Sequence, residues 1–285
     1  MVKIDYEVVN VFTRNGKNGN GLAVVSEPLG LSTEQMQSIA KRLGYSETTF
    51  VLPTPQPKVA DYRIRIFTPE KELPFAGHPS IGTLFTLIRC GILKKKKNYI
   101  QQVGKRFIPM RFASDGSIFM DQGRPKFGAR LPTKSAASML GLKEDSVIGL
   151  PTVVSTGFPL MIVQLATYDS LKKAKLRKSL YEEVAETHTP AIMPFTIYRG
   201  DVRCRMFAPL VGVPEDPATG SGAGPLASYI LREGILATSK IDILQGVKPG
   251  GASLLRSKVH RTGKEIESVE VGGSSHHIAT KILKL

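Results

Sequence analysis

Two stretches of this chain set small residues in front of an apolar run: Gly77-His-Pro-Ser-Ile-Gly and Gly220-Ser-Gly-Ala-Gly. If each opens a helix, its first N–H groups have no partner within the helix, and the aligned peptide dipoles add about half a positive charge there. Glycines let a ligand approach that backbone closely. Two such ends facing one cleft would hold a carboxylate or a similar small anion without a metal. The same glycines could instead only allow a buried helix to pack tightly. Their presence in both stretches favours binding, with Gly77, Gly220 and Ser221 as the contacts.

Three side chains near these stretches could move protons. His78 stands at the first helix start, where a histidine tends towards the neutral form and can donate a hydrogen bond or exchange a proton. Asp216, in Glu215-Asp-Pro-Ala-Thr-Gly-Ser, immediately precedes the second start. It reads equally well as an N-terminal capping carboxylate and as a catalytic one. Glu47, in Tyr45-Ser-Glu-Thr-Thr-Phe, could simply face solvent at a strand start. The second half has no acidic counterpart, since a predicted helix from Ser179 to Glu186 runs there into His188-Thr-Pro. That asymmetry gives Glu47 its candidacy.

Other chemistries find little support. The 5 histidines are scattered, and His276-His277 would point to opposite faces of a strand, so no metal site is expected. No P-loop, dinucleotide fingerprint or nucleophile elbow occurs. The 2 cysteines, Cys90 and Cys204, are too few for a disulfide framework.

The elements around these residues occur twice. Arg65-Ile-Phe-Thr-Pro and Arg205-Met-Phe-Ala-Pro are each followed by an acidic, proline-bearing loop and then by the glycine-led segment. Aligning Gly77 with Gly220 also aligns Arg89 with Arg232, Gly91 with Gly234 and Ile92-Leu with Ile235-Leu, the second loop being longer. Segments 77–93 and 220–236 lack a clear polar face and should be buried helices, with Gly91 and Gly234 as left-handed caps. Upstream, Ile4 to Phe12 reads as a strand with a slip, Asn15 to Gly21 as a hairpin turn, and Leu22 to Val25 as the returning strand. Ser32 should cap a helix reaching about Leu43, with strands at Thr48–Leu52 and Asp61–Phe67. Ser155-Thr-Gly-Phe-Pro-Leu-Met-Ile-Val mirrors Asn18-Gly-Asn-Gly-Leu-Ala-Val-Val. The expected architecture is α+β: two pseudo-symmetric halves, each a mainly antiparallel sheet curled round one central helix. Residues 1–121 with 272–285 form one half and 122–271 the other.

A length of 285 residues and 41% hydrophobic content suit two soluble domains with substantial cores. No apolar stretch approaches the ~20 residues that span a bilayer, and the N-terminus shows no secretory segment, so a cytoplasmic protein without a membrane partner is expected. The formal charge of +15 raises the question of nucleic acid. Its basic runs, Lys94–Lys97 and Lys172 to Lys178, are not interleaved with aromatics and there is no Trp. They read as solvated surface that attracts small anionic metabolites, with no nucleic-acid partner.

The motifs together resemble the PhzF-like family of phenazine-biosynthesis proteins. They are Gly19-Asn-Gly-Leu-Ala-Val-Val, Ser46-Glu-Thr-Thr-Phe-Val, Arg65-Ile-Phe-Thr-Pro with Leu73-Pro-Phe-Ala-Gly-His-Pro-Ser-Ile-Gly-Thr, Ser155-Thr-Gly, Glu215-Asp-Pro-Ala-Thr-Gly-Ser and Gln245-Gly, in the family's order. The resemblance implies the diaminopimelate epimerase fold, a homodimer, no cofactor, and an isomerase in which one glutamate shuttles a proton between carbons of a cyclic amino acid. Carried over by motif, that glutamate is Glu47, assisted by His78 and Asp216, with Asn20, Gly77, Gly220 and Ser221 binding substrate. Racemases of this fold use two cysteines where this chain has Gly77 and Thr219, so a two-thiol mechanism is not expected. The chain departs from the pattern at Gly21, usually Pro, and after Gln245-Gly, where Val-Lys-Pro-Gly-Gly-Ala-Ser replaces a segment often ending Arg-Pro-Ser. The second departure bears on the substrate more than on the fold.

Overall fold

The N-terminal alternation builds β1 (Lys3–Thr13), and the turn after it returns the chain as β2 (Asn20–Val25) in this computed structural model, which describes residues 3–28, 30–177, 181, 189–248 and 251–284. The predicted helix Ser179–Glu186, apart from Tyr181, and Lys178 and His188 lie outside the described residues. The chain folds as two compact units, 1–121 with 272–285 and 122–271.

The first unit continues with α1 (Thr33–Leu43), β3 (Glu47–Leu52), β4 (Tyr62–Phe67), β5 (Glu72–Leu73), α2 (Gly77–Arg89), β6 (Asn98–Val103), β7 (Arg106–Phe112) and β8 (Ile118–Asp121). The second comprises β9 (Lys126–Arg130), α3 (Thr133–Met139), β10 (Thr152–Ser155), β11 (Pro159–Gln164), α4 (Tyr168–Lys173), β12 (Ile192–Tyr198), β13 (Asp201–Cys204), α5 (Gly220–Arg232), β14 (Lys240–Gln245) and β15 (Ser253–Thr262). A long last strand, β16 (Glu265–Lys284), gives its beginning to the second unit and its end to the first.

In the first unit the strands run in the order β1-β2-β3-β4-β6-β7-β8, and β16 lies beside β8 and pairs with β1, closing a ring. The slip expected in β1 appears as register shifts at Val8/Val9 and Val11/Thr13, with Phe12 at φ 65°. Helix α2 packs against β1, β2, β3 and β8, and residues 77–84 are all buried. Its approach is close because position 82 lacks a side chain. A Cβ there would lie 2.6 Å from Leu22 Cδ2 and 2.7 Å from Val11 Cγ2. Helix α1 instead covers the outside of the sheet, putting Met36, Ile39 and Ala40 against Phe50 and Phe67. Ser32 caps its start as expected, within a capping box: Gln35 N–H donates to Ser32 Oγ, and Ser32 N–H to Gln35 Oε1.

The second unit repeats this plan in the order β16-β15-β14-β13-β12-β11-β10-β9. The segment entering β9 closes this ring: Gln122 N–H donates to Val269 O, and Val269 N–H to Gly123 O. Buried α5 packs on β10, β11 and β15. The duplication extends to pairing direction. The pairs β1–β2, β2–β3, β3–β4, β4–β6 and β6–β7 are antiparallel, parallel, antiparallel, parallel and antiparallel. The pairs β10–β11 through β14–β15 repeat that series.

The repeated arginine explains part of the duplication. Arg65 grips Glu72 through Nε and Nη2 at 2.8 and 2.7 Å, and Arg205 grips Glu215 the same way at 2.8 and 2.9 Å. Each guanidinium also lies over the phenylalanine two residues on, at 5.0 Å from Phe67 and 4.7 Å from Phe207. In both copies, then, the arginine ties its strand to the acidic loop that leads to the central helix. Gly91 and Gly234 follow those helices at φ 73° and 68°, the left-handed caps expected of them.

Candidate active site

Parallel pairing of β2 with β3 sets Leu22 opposite Glu47, which brings Asn20 and Gly21, the first residues of β2, beside Ser46. Ser46 Oγ lies within hydrogen-bonding distance of both Asn20 Oδ1 (3.2 Å) and Gly21 O (3.3 Å). The glycine just before them is required: Gly19 has φ 89°, and a Cβ there would lie 2.5 Å from Val11 O. Glu47 opens β3 and His78 is the second residue of α2. Their side chains meet, with His78 Nε2 3.3 Å from Glu47 Oε2, and are 6% and 18% exposed.

Neither atom has a hydrogen-bond partner among the described residues. His78 does hydrogen-bond the Gly21 backbone, and that bond favours the protonated ring, as donation to a carbonyl does. With Nδ1 as the donor to Gly21, Nε2 presents a lone pair to Glu47. Burial lowers the His78 pKa below its ordinary value, outweighing the Glu47 carboxylate and the Gly21 bond, which both raise it. Two acceptors thus face each other in a poorly solvated place, an arrangement with room for one proton.

Two hydroxyl contacts fix this spacing. Thr49, on Glu47's strand, bonds Thr83 of α2 at 2.8 Å, and Thr83 donates to Pro79 O, one residue past His78, at 2.7 Å. A second chain runs from Tyr62 to Gln101 to Ser80, whose hydroxyl donates to Ala76 O before Gly77. Gly77 itself is buried as the first helical residue.

In the second unit, Asp216, Gly220 and Ser221 come together around the first turn of α5. Asp216 accepts a hydrogen bond from the Thr219 hydroxyl. Gly220 O accepts from Gln122 Nε2 at 2.8 Å, while Ser221 is half-buried. Neither α2 nor α5 has a side-chain cap or an acidic residue in its first turn, unlike the outer helix α1. Neither start therefore has its first-turn N–H groups satisfied by a capping side chain, the condition an anion site at a helix end requires.

Sequence reasoning missed Thr49, Thr83, Gln101, Gln122, Thr219 and Gln245 as supports of these groups. Thr49, Thr83, Thr219 and Gln245 had a signal, since each stands in a motif of the resemblance, whereas Gln101 and Gln122 had none. Both thiols lie away from the helix starts: Cys90 follows the last residue of α2 and Cys204 ends β13, and burial raises the pKa of each. Among the described residues no three His, Cys, Asp or Glu side chains gather where they could hold a metal, and no described helix is long and apolar enough to cross a membrane.

The family model for phenazine biosynthesis-like proteins (PhzC-PhzF) matches residues 9–280. Trans-2,3-dihydro-3-hydroxyanthranilate isomerase of Pseudomonas fluorescens is 34% identical over 276 residues, covering 95% of each chain. Antisense-enhancing sequence 1 of Schizosaccharomyces pombe is 32% identical, covering 96% of this chain and 97% of its own. The crystal structure of a Bacillus anthracis phenazine biosynthesis protein of the PhzF family superposes with a TM-score of 0.89 over the whole of both chains at 24% identity. With the site motifs in order along nearly its full length, this chain belongs to the phenazine biosynthesis-like family of isomerases.

Proposed function

We propose that Glu47 and His78 form the proton-transfer centre of an isomerase acting on a small, carboxylate-bearing, cyclic metabolite without a cofactor. The observation that carries this reading is the 3.3 Å approach of two buried, unpartnered acceptors. Glu47 takes the proton from a substrate carbon, leaving the bonding pair on the substrate as a delocalised anion. It then returns the proton to another carbon of the same molecule, so that a double bond moves and nothing is consumed. His78 Nε2 holds the proton on the carboxyl between the two steps. The uncapped start of α2 stabilises the charge that develops nearby. The start of α5, with Gly220 and Ser221, offers a second place for a carboxylate, and Asp216 supports it. A base held this way contributes on the order of 10²–10⁴-fold.

The substrate named for the Pseudomonas fluorescens relative has the required class, a cyclic amino acid with a carboxylate, and serves as the test compound. The protein should incorporate solvent deuterium into trans-2,3-dihydro-3-hydroxyanthranilate or a similar compound, and Glu47→Gln should stop incorporation while leaving the fold intact. Equal incorporation by parent and variant would remove Glu47 from the mechanism.

A further inference from the structure

The turn before α5 is held by one buried carboxamide. Gln245, the last residue of β14 and 1% exposed, makes three hydrogen bonds to it. Its Oε1 accepts from Thr219 N–H at 3.0 Å, and its Nε2 donates to Asp216 O at 2.7 Å and to Thr219 Oγ1 at 2.9 Å. The amide orientation is forced, because Thr219 N–H can only donate and Asp216 O can only accept. Both amide protons are then used. Since Thr219 Oγ1 accepts from Gln245, its own proton goes to Asp216 Oδ2. Asp216 is thereby held as an accepting carboxylate beside the α5 start.

The first unit builds the same ring and central helix without this device. Pairing sets Ile64 opposite Val103 and Cys204 opposite Gln245, so Val103 stands where Gln245 does. Ala76 precedes Gly77 as Thr219 precedes Gly220. An apolar pair at those places suffices to seat a buried helix in its ring. What the second unit gains is a fixed orientation of the Asp216 carboxylate and of the first α5 amides.

We propose that Gln245 is a positioning residue: acting through Thr219, it orients the Asp216 carboxylate and keeps the Gly220 and Ser221 N–H groups directed at a bound carboxylate. This rests on the reading of the α5 start as an anion site. The test follows amide NMR spectra of the parent and its variants, with sodium benzoate as the probe. In the parent, benzoate should shift the Gly220 and Ser221 amide resonances, and Thr219 N–H should exchange slowly with solvent. Gln245→Met, similar in length but unable to make these bonds, should weaken benzoate binding about tenfold and speed Thr219 exchange at least as much. Gln245→Glu, nearly isosteric, loses both donors but keeps the acceptor for Thr219 N–H, so it should weaken benzoate binding by a similar factor and supplies the affinity test if the methionine variant does not fold. Thr219→Ser keeps the hydroxyl and should stay within about twofold of the parent. A folded Gln245 variant with parental benzoate affinity, or a folded Gln245→Met with parental Thr219 exchange, overturns the positioning role. A parent whose Gly220 and Ser221 amides ignore benzoate overturns the anion reading of α5, and Thr219 exchange then decides the role of Gln245.

Discussion

His78 Nε2 and Glu47 Oε2 stand 3.3 Å apart with no other hydrogen-bond partner among the described residues, beside the Gly21 backbone. Two facing lone pairs repel unless a proton or a ligand donor enters between them. In the proposed reaction the pair would hold one proton where burial keeps water from competing for it. A carboxylate alone at a strand start would lose its proton to solvent between the two halves of an isomerisation.

Glu47→Gln replaces an acceptor with an amide that can donate to His78 Nε2, which removes the repulsion as well as the base. Solvent-deuterium incorporation into a turned-over substrate should fall by about 10²-fold or more, with the melting temperature equal to or above that of the parent. A lowered melting temperature together with retained exchange would show a structural role instead.

The two repeated arginine clamps differ in what their loss exposes. Arg65 and Glu72 are 25% and 40% exposed, so solvent screens the pair, and Arg65→Ala should cost about 1 kcal/mol or less through the lost ion pair. Arg205 and Glu215 are 12% and 27% exposed, and Arg205 Nη1 also donates to Ala174 O at 2.7 Å and Leu171 O at 3.1 Å. Arg205→Ala leaves those carbonyls short of a donor and should cost about 1–3 kcal/mol more than Arg65→Ala in urea unfolding.

Two glycines of the first central helix are needed for different reasons. Gly82→Ala places a methyl group inside contact distance of Leu22 and Val11 and should cost about 1–3 kcal/mol by overpacking. Gly91→Ala meets nothing within 4 Å but keeps φ at 73°, so its cost is backbone strain of about 1 kcal/mol. In urea unfolding Leu22→Ala should cost less in the Gly82→Ala background than in the parent, and the same in the Gly91→Ala background, which separates the two causes.

The duplication made the fold legible. The repeated Arg-x-Phe-x-Pro, the buried glycine-led segments and Gly91 with Gly234 all keep their sequence-level meaning in the structure, because strand, cap and helix signals are local. Glu47 and His78 could be named from motifs, but their contact could not be read from spacing. It depends on parallel pairing of β2 with β3 and on how deeply Gly82 lets α2 settle, both of which are long-range. The supports were less legible still. Thr49, Thr83 and Gln101 are ordinary residues in a strand or helix pattern, and only burial without water gives their hydroxyl and amide groups one possible partner. The basic run also gained a feature that local reading had denied it: Lys95 lies 4.8 Å from the Phe112 ring and Lys96 5.2 Å from Tyr99, which is brought near by strand pairing and by a hydroxyl bond to Lys94 O.

His78 also makes stability depend on pH, with a sign set by its environment. Burial dominates and lowers its pKa in the folded protein below the ordinary value of 6.5. Between the folded and unfolded values the unfolded chain binds a proton that the folded protein does not, so stability rises with pH through that interval. The His78 contribution is complete above about pH 6.5 and is lost as pH falls through the folded value. His78→Gln removes the titration while keeping a polar group near Glu47. Urea unfolding at pH 7.5 and at pH 5.0 should show a larger loss of stability for the parent than for the variant, by about 1.4 kcal/mol per unit of pKa difference covered. Equal losses in parent and variant would mean that the imidazole titrates in the folded state as it does in the unfolded chain, and the lone pair facing Glu47 would then be protonated under mildly acidic conditions. The same titration limits catalysis from the acidic side. Once Nε2 is protonated it holds Glu47 as an ion pair instead of leaving it free to accept, so exchange activity should fall as pH drops through the lowered folded value, at the acidic end of the range in which the parent loses its extra stability.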